Sequence, residues 1–206
     1  TPNDYDSDPI AQIAEWGRQG VLLDATVNLS ASPYHADKSG VRIEVARSAA
    51  SSLNHPFLLA NQVGGNDDLL FDGRSIIAWP DGTAVVAPAW KEGVLVADLS
   101  DPSKCIWKGE GDLVHLSPNQ EFNEGDNDLL DAVITGLSDY CRKSGIKKIV
   151  LGLSGGIDSA LAACVASKAV GANNVTGISM PSRHSSQHSI DDAKATAETL
   201  GINFLM

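Results

Sequence analysis

The stretch "KKIVLGLSGGIDSALAACVAS", residues 147–167, decides the fold: an apolar run breaks into Ser154-Gly155-Gly156-Ile157-Asp158-Ser159 and then resumes at helical spacing. A strand that turns through two glycines into a helix brings consecutive backbone N–H groups and the positive end of the helix dipole to one point, which suits an anion. The glycines permit the tight turn and a close approach by phosphate. Ser154 and Ser159 add hydroxyl donors, and Asp158 adds a carboxylate, a placement beside phosphate that makes sense when a divalent cation bridges the two. The lysine that a Walker-type loop carries after its last glycine is missing. A glycine pair alone favours a plain turn in which Asp158 and Ser159 are ordinary helix-start residues; the whole string changes that balance.

Working outward, Leu129, Leu130, Val133, Leu137, Tyr140 and Cys141 recur at spacings of three and four, which predicts an amphipathic helix ended by Gly145. IKKIVLGL then reads as a strand, IDSALAACVASKAV as a helix, NNVTGISM as a strand, SIDDAKATAETL as a helix and INFLM as a third strand. That βαβαβ order calls for a parallel sheet in an α/β fold. The last strand runs out at Met206, which reads as a truncation.

In the front half, ATVNLSAS (25–32), HPFLLANQVG (55–64), RSIIAWP before the turn Pro80-Asp81-Gly82, TAVVAPA and GVLVADL read as strands, joined by one helix from about Ser39 to Leu53. Several of these strands are almost continuously apolar, so their sheet is expected to carry a layer on each face. The polar, acidic stretch WKGEGDLVHLSPNQEFNEGDND has the composition of a linker. The expected organisation is a first domain at 1–112, a linker at 113–125 and a second domain at 126–206.

The 206 residues are 43% hydrophobic with a mean hydropathy of −0.06, the balance of a globular protein. No apolar run is long enough to span a bilayer, and TPNDYDSDPI lacks the basic start and apolar core of a secretory signal. A cytoplasmic protein with no membrane partner is expected. A net charge of −11 without any Lys/Arg cluster excludes a nucleic-acid surface. Cys105, Cys141 and Cys164 form no CxxC pair and are odd in number, which fits reduced thiols that pack as small hydrophobes rather than thiolates holding a metal.

SGGIDS, closing a strand and opening a helix, resembles the pyrophosphate-binding loop of the N-type ATP pyrophosphatases, which cut ATP between its α and β phosphates. A cradle for departing pyrophosphate needs no P-loop lysine. MPSRHSSQHSIDDA is similar to the signature of the glutamine-dependent NAD synthetase family, with Met180, Pro181, Ser182, Ser185, Ser186, His188, Ser189, Asp192 and Ala193 at the matching positions. NLSASPYHADK and NQVGGNDDLLFDGRS resemble the C-terminal portion of the nitrilase-fold glutaminase domain that precedes the synthetase in that family.

The resemblance implies the C-terminal part of a nitrilase-like αββα domain, followed by the first βαβαβ part of a Rossmann-like adenine nucleotide alpha hydrolase domain. It implies ATP binding by Gly152, Leu153, Ser154, Gly155, Gly156, Ile157, Asp158, Ser159 and Met180, with Mg2+ at Asp158. Ser32 and Lys38 are the implied glutamine contacts; Asp37 stands where the family commonly has glycine. The implied reaction activates the nicotinic-acid carboxylate of deamido-NAD with ATP, releasing pyrophosphate, after which ammonia from glutamine displaces AMP to give NAD. In the family the glutaminase cysteine, glutamate and lysine lie upstream of NLSASP, and the deamido-NAD contacts are expected beyond Met206. This chain alone is therefore expected to be inactive and, as half a sheet, to associate; the complete enzyme is expected to be a homo-oligomer. Two rival readings are another amidotransferase with the same loop, such as a GMP or asparagine synthetase, whose glutaminases resemble other folds, and a non-catalytic nucleotide-binding module.

Overall fold

Alternation of inward and outward side chains organises the front half in a computed structural model of the chain, which describes residues 7–36, 38–120, 126–181 and 186–206. Asp37, Ser182, Ser185 and residues 121–125 of the expected linker lie outside the described residues. The chain divides into two units, Thr1–Gly64 with Phe71–Glu124, and Gly65–Leu70 with Gly125–Met206.

The first unit runs α1 (Pro9–Arg18), β1 (Thr26–Ser30), α2 (Lys38–Leu53) and β2 (Phe57–Asn61). A hairpin follows, formed by β3 (Val63–Asn66) and β4 (Leu69–Asp72), whose tip counts with the second unit. Then come β5 (Ile76–Ala78), β6 (Ala84–Val86), β7 (Gly93–Asp98), β8 (Asp101–Gly109) and β9 (Leu113–Leu116). One sheet has the order β1-β2-β5-β6, parallel between β1 and β2 and antiparallel beyond; β7-β8-β9 form an antiparallel second sheet. Ile76 and Ala78 point to one side with Phe57 and Leu59, packing on Ala46, Ala49, Ala50 and Leu53 of α2. Ile77 and Val85 point to the other, against Cys105, Trp107 and Leu116 of the second sheet. The expected layer on each face of the apolar strands is thus present: helices on one side, a sheet on the other.

Three local readings change. Helix α1 was not expected, although Asp8 caps it by accepting from the Ile10 N–H at 2.9 Å, Pro9 opens it, and Ile10, Ile13 and Ala14 sit at helical spacing toward the core. The single strand read at 55–64 is two, β2 and β3, parted at Gln62. The polar stretch read as linker starts with strands: in β8, Cys105 and Trp107 face inward while Lys104 and Lys108 face outward, and Leu113–Leu116 pairs with it as β9. Two lysines and the acidic flanks hid a period-two pattern.

Trp107 fixes the register of this sheet. Gly93 and Gly109 pair directly, and the indole lies over both: a Cβ at Gly93 would meet the ring nitrogen at 2.6 Å, and one at Gly109 would lie closer still to the ring. The ring is 3% exposed and has nowhere to go. Gly93→Ala is expected to cost about 1–3 kcal/mol by overpacking, read as a lower urea midpoint. An unchanged midpoint would refute the packing argument.

The second unit runs α3 (Asp126–Lys143), β10 (Ile149–Gly152), α4 (Ile157–Val170), a 3-10 turn at Ala172–Asn174, β11 (Val175–Ile178), α5 (Gln187–Leu200) and β12 (Asn203–Leu205). The sheet is parallel throughout in the order β10-β11-β12, as the alternating elements predict. Leu153, Ala163, Ala166, Val175, Ala193, Ala197 and Ile202 make its core. The opposite face of the sheet leaves Val150 63% and Leu205 57% exposed. On α3, Ala132 and Cys141 are buried, but Leu129, Val133 and Tyr140, which the spacing assigned to the inward stripe, are exposed. Asp139 accepts from the Gly65 N–H at 2.8 Å, and the Lys143 ammonium donates to the Gly65 carbonyl, tying the hairpin tip to α3. Burial alone would raise the Asp139 pKa, but Arg142 and the Gly65 N–H outweigh it and hold the carboxyl below its ordinary value. Among the described residues no helix is long and apolar enough to cross a membrane.

Candidate functional site

The 152–159 turn is built by backbone geometry and two serines. Leu153 continues β10 by donating its N–H to the Ile178 carbonyl at 2.9 Å and sends its side chain into the core, 2% exposed. Gly155 then takes φ +81°, and Gly156 is the N-cap of α4 without any side-chain cap bond. Ser154 Oγ accepts from the Gly156 N–H at 3.3 Å, and Ser159 Oγ donates to the Gly156 carbonyl at 2.9 Å. The hydroxyls therefore knit the turn together. Asp158 is exposed in the first turn of α4. A glycine N-cap supplies no oxygen of its own to the first N–H groups of the helix, which leaves that end electrostatically suited to an anion.

Two further segments complete the surroundings. Met180 follows β11 and is 77% exposed, with its terminal methyl 3.6 Å from where a Cβ at Gly152 would be; both stand at the carboxyl ends of neighbouring parallel strands, where α/β sheets bind ligands. Ser186 caps α5 by accepting from the Ser189 N–H at 3.2 Å, and the Ser189 backbone lies directly against Gly155. An open cleft of about 520 Å³ between α4 and α5 is lined by Gly155, Gly156, Ile157, Ala160, Asp192 and Thr196. Of the nine residues singled out, the structure gathers Ser154 to Ser159 in one turn and sets Gly152 beside Met180; Leu153 has only backbone to offer.

The donor set bears on the implied cation. Among the described residues no group of three or more His, Cys, Asp or Glu side chains is placed to hold a metal. A single exposed carboxylate beside an anion-accepting turn fits Mg2+, which is usually held through one or two carboxylates together with phosphate oxygens.

The second candidate site is the Ser32–Lys38 loop in the first unit. Ser32 donates its N–H to Asn61 Oδ1 at 2.9 Å, and Lys38, the first residue of α2, donates Nζ to the Pro33 carbonyl at 3.1 Å. Tyr34 meets Trp90 edge to face, with centroids 4.9 Å apart. Ser32 and Lys38 are both half-buried, so each keeps an accessible edge. The sequence reading did not anticipate Asn61; a carboxamide in the apolar run FLLAN was its one signal. As for a nucleophile, Cys105 and Cys141 are buried and Cys164 half-buried, and burial pushes the Cys105 thiol up, away from the thiolate that attacks amides.

Comparison with known proteins locates two families in the chain: residues 17–103 match the carbon-nitrogen hydrolase model and residues 129–206 the NAD synthase model. A glutamine-dependent NAD(+) synthetase from Synechocystis sp. is 42% identical over 97% of this chain and 34% of its own. One from Rhodobacter capsulatus is 43% identical over 82% of this chain and 30% of its own. Among solved structures, glutamine-dependent NAD+ synthetase from Acinetobacter baumannii, in complex with ADP, superposes with a TM-score of 0.75 at 31% identity, covering 96% of this chain and 36% of that one. The chain spans about a third of the length of the relatives it matches.

Proposed function

The chain belongs to the glutamine-dependent NAD(+) synthetase family, and from that premise we propose that it serves the ATP-dependent amidation of deamido-NAD to NAD with ammonia drawn from glutamine, releasing AMP and pyrophosphate. Residues 1–112, extended by β9 at Leu113–Leu116, form the glutaminase part, the remainder of 113–125 the connection and 126–206 the synthetase part. The observation that carries the reading is the 152–159 turn, in which a positive-φ glycine and a glycine N-cap present the start of α4 beside the exposed Asp158 carboxylate.

In this reading the backbone of Ser154 to Ser159 receives the β- and γ-phosphates as they leave as pyrophosphate. The amides are fixed in the fold before the charge develops, so stabilising the leaving group costs little reorganisation. Mg2+, when bound, neutralises phosphate charge. Asp158 would hold it, and the Gly152 and Met180 backbone borders the adenine. A relative from A. baumannii was solved in complex with ADP, which supports nucleotide binding by the family. The adenylation step needs no protein nucleophile, because the carboxylate of deamido-NAD itself attacks the α-phosphate and pyrophosphate leaves. Ser32 and Lys38 orient glutamine in the other unit.

Asp158→Ala is expected to weaken Mg2+-dependent ATP binding by about tenfold or more, the scale of one lost charge-assisted contact, with binding in EDTA little changed. Equal affinities with Mg2+ would sink the assignment of Asp158. For the overall reaction, the complete gene product that carries this chain is given deamido-NAD, ATP and glutamine. AMP and NAD are expected to form together; AMP without NAD, or neither, would count against the reading.

A further inference from the structure

Three separate arms hold the Ser32–Lys38 loop, and all of them end on one short corner, Asp72 to Ser75. In the first arm, Asn61 Oδ1 accepts from the Ser32 N–H at 2.9 Å while its Nδ2 donates to the Gly73 carbonyl at 2.8 Å. The Asn61 backbone N–H in turn donates to Ser75 Oγ at 3.0 Å. A carboxamide offers an acceptor to one partner and a donor to the other; aspartate would set an oxygen against the Gly73 carbonyl, and leucine would offer neither. In the second arm, Asp72, wholly buried, accepts from Arg42, from Arg74 at 2.7 Å and from Ser39 Oγ at 3.4 Å. Ser39 and Arg42 belong to the first turns of α2, the helix that Lys38 opens. In the third arm, the Trp90 N–H donates to the Asp72 carbonyl at 3.0 Å, and the Trp90 ring supports Tyr34 in the middle of the loop.

We propose that the Asp72–Ser75 corner is the positioning element of the glutamine-contacting loop, and that Asn61 is a positioning residue acting through Ser32. The proposal rests on the reading of Ser32 and Lys38 as glutamine contacts. A shallow loop on a flexible base tolerates displacement, and a displacement of an ångström at a substrate contact is felt in affinity. Asn61 anchors the Ser32 backbone relative to Gly73, and so the point from which the Ser32 side chain leaves the chain. The corner thereby sets the spacing between the Ser32 hydroxyl and the Lys38 ammonium, one group from each end of the loop.

The test is made in the complete gene product, with NAD formation driven by glutamine or, bypassing the glutaminase part, by ammonium. Asn61→Leu is expected to raise the KM for glutamine about tenfold while the ammonium-driven rate stays within about twofold. In the double variant with Ser32→Ala the two effects are expected to be clearly less than additive, because one acts through the other. A residue that merely stabilised the unit would add fully and would change kcat and melting instead. Ser75→Ala, which loosens only the Asn61 backbone, is the milder variant should Asn61→Leu misfold, and it is expected to raise the same KM by a smaller factor. If Ser32→Ala and Lys38→Ala raise the KM while Asn61→Leu and Ser75→Ala do not, the positioning role is wrong and the glutamine reading stands. If none of the four raises it, the glutamine reading fails and takes the positioning role with it.

Discussion

Gly155→Ala is expected to abolish useful nucleotide binding, with the Kd for MgATP rising by about a hundredfold, whereas Gly156→Ala leaves the turn intact. The two positions are adjacent and differ in what the backbone asks of them. Gly155 sits at φ +81°, where an L side chain costs about 1–2 kcal/mol. A Cβ there would also lie 2.9 Å from the Ser189 carbonyl carbon and closer still to its oxygen. Both obstacles are backbone, so no rotamer change relieves them; either the turn opens or the start of α5 moves away. Each outcome displaces the amides proposed to receive the phosphates, and a loss of about 2.7 kcal/mol corresponds to the hundredfold weakening. Gly156 has φ −88°, and a Cβ there would meet nothing nearer than the Ser154 hydroxyl at 3.4 Å. Thermal melting separates the two consequences: Gly155→Ala lowers the midpoint without ligand well beyond the N-cap cost that Gly156→Ala alone brings. Similar melting curves and similar affinities for both variants would show that the turn is not built as described.

That contrast marks the limit of what the sequence could tell. The bounds of α4 are legible as IDSALAACVASKAV because two glycines precede the helix and one follows it, and strands β10 to β12 are legible because helices separate them. Nothing in SGGIDS says which glycine has positive φ, or that Ser189, thirty-odd residues further on, packs its backbone against Gly155. Leu153 illustrates the same limit: it lies inside the motif, yet its side chain belongs to the core, against Gly177. Strands β8 and β9 were obscured because an edge sheet with one wet face carries lysines and acids between its few buried residues. The supports of the Ser32–Lys38 loop were out of reach for another reason. Asn61 and Asp72 are ordinary polar residues until the fold brings them beside Ser32 and Arg42, from 29 and 30 residues away.

Asp72→Ala is expected to be the most destabilising single change in the first unit. Its carboxylate is fully buried, and one oxygen, Oδ2, serves Arg42, Arg74 and Ser39 together. Arg42 and Arg74 are themselves only 6% and 5% exposed. Removing the shared acceptor leaves guanidinium charge in an apolar setting with its counterion gone, and breaking a buried ion pair from one side costs about 3–5 kcal/mol. For a unit of this size that is a fall of roughly 10–20 °C in Tm. The size of the effect distinguishes two accounts of the cluster. If charge is what matters, Asp72→Asn, which keeps the shape but not the charge, loses most of the same stability. Arg42→Met loses less, because it removes one charge and leaves Arg74 with its partner, and the double variant Asp72→Ala/Arg42→Met recovers part of the loss. If Asp72→Asn instead melts like the parent, the cluster is held by shape and hydrogen bonding, and the corner that carries the Ser32–Lys38 loop owes its rigidity to the backbone bonds of Gly73 and Ser75.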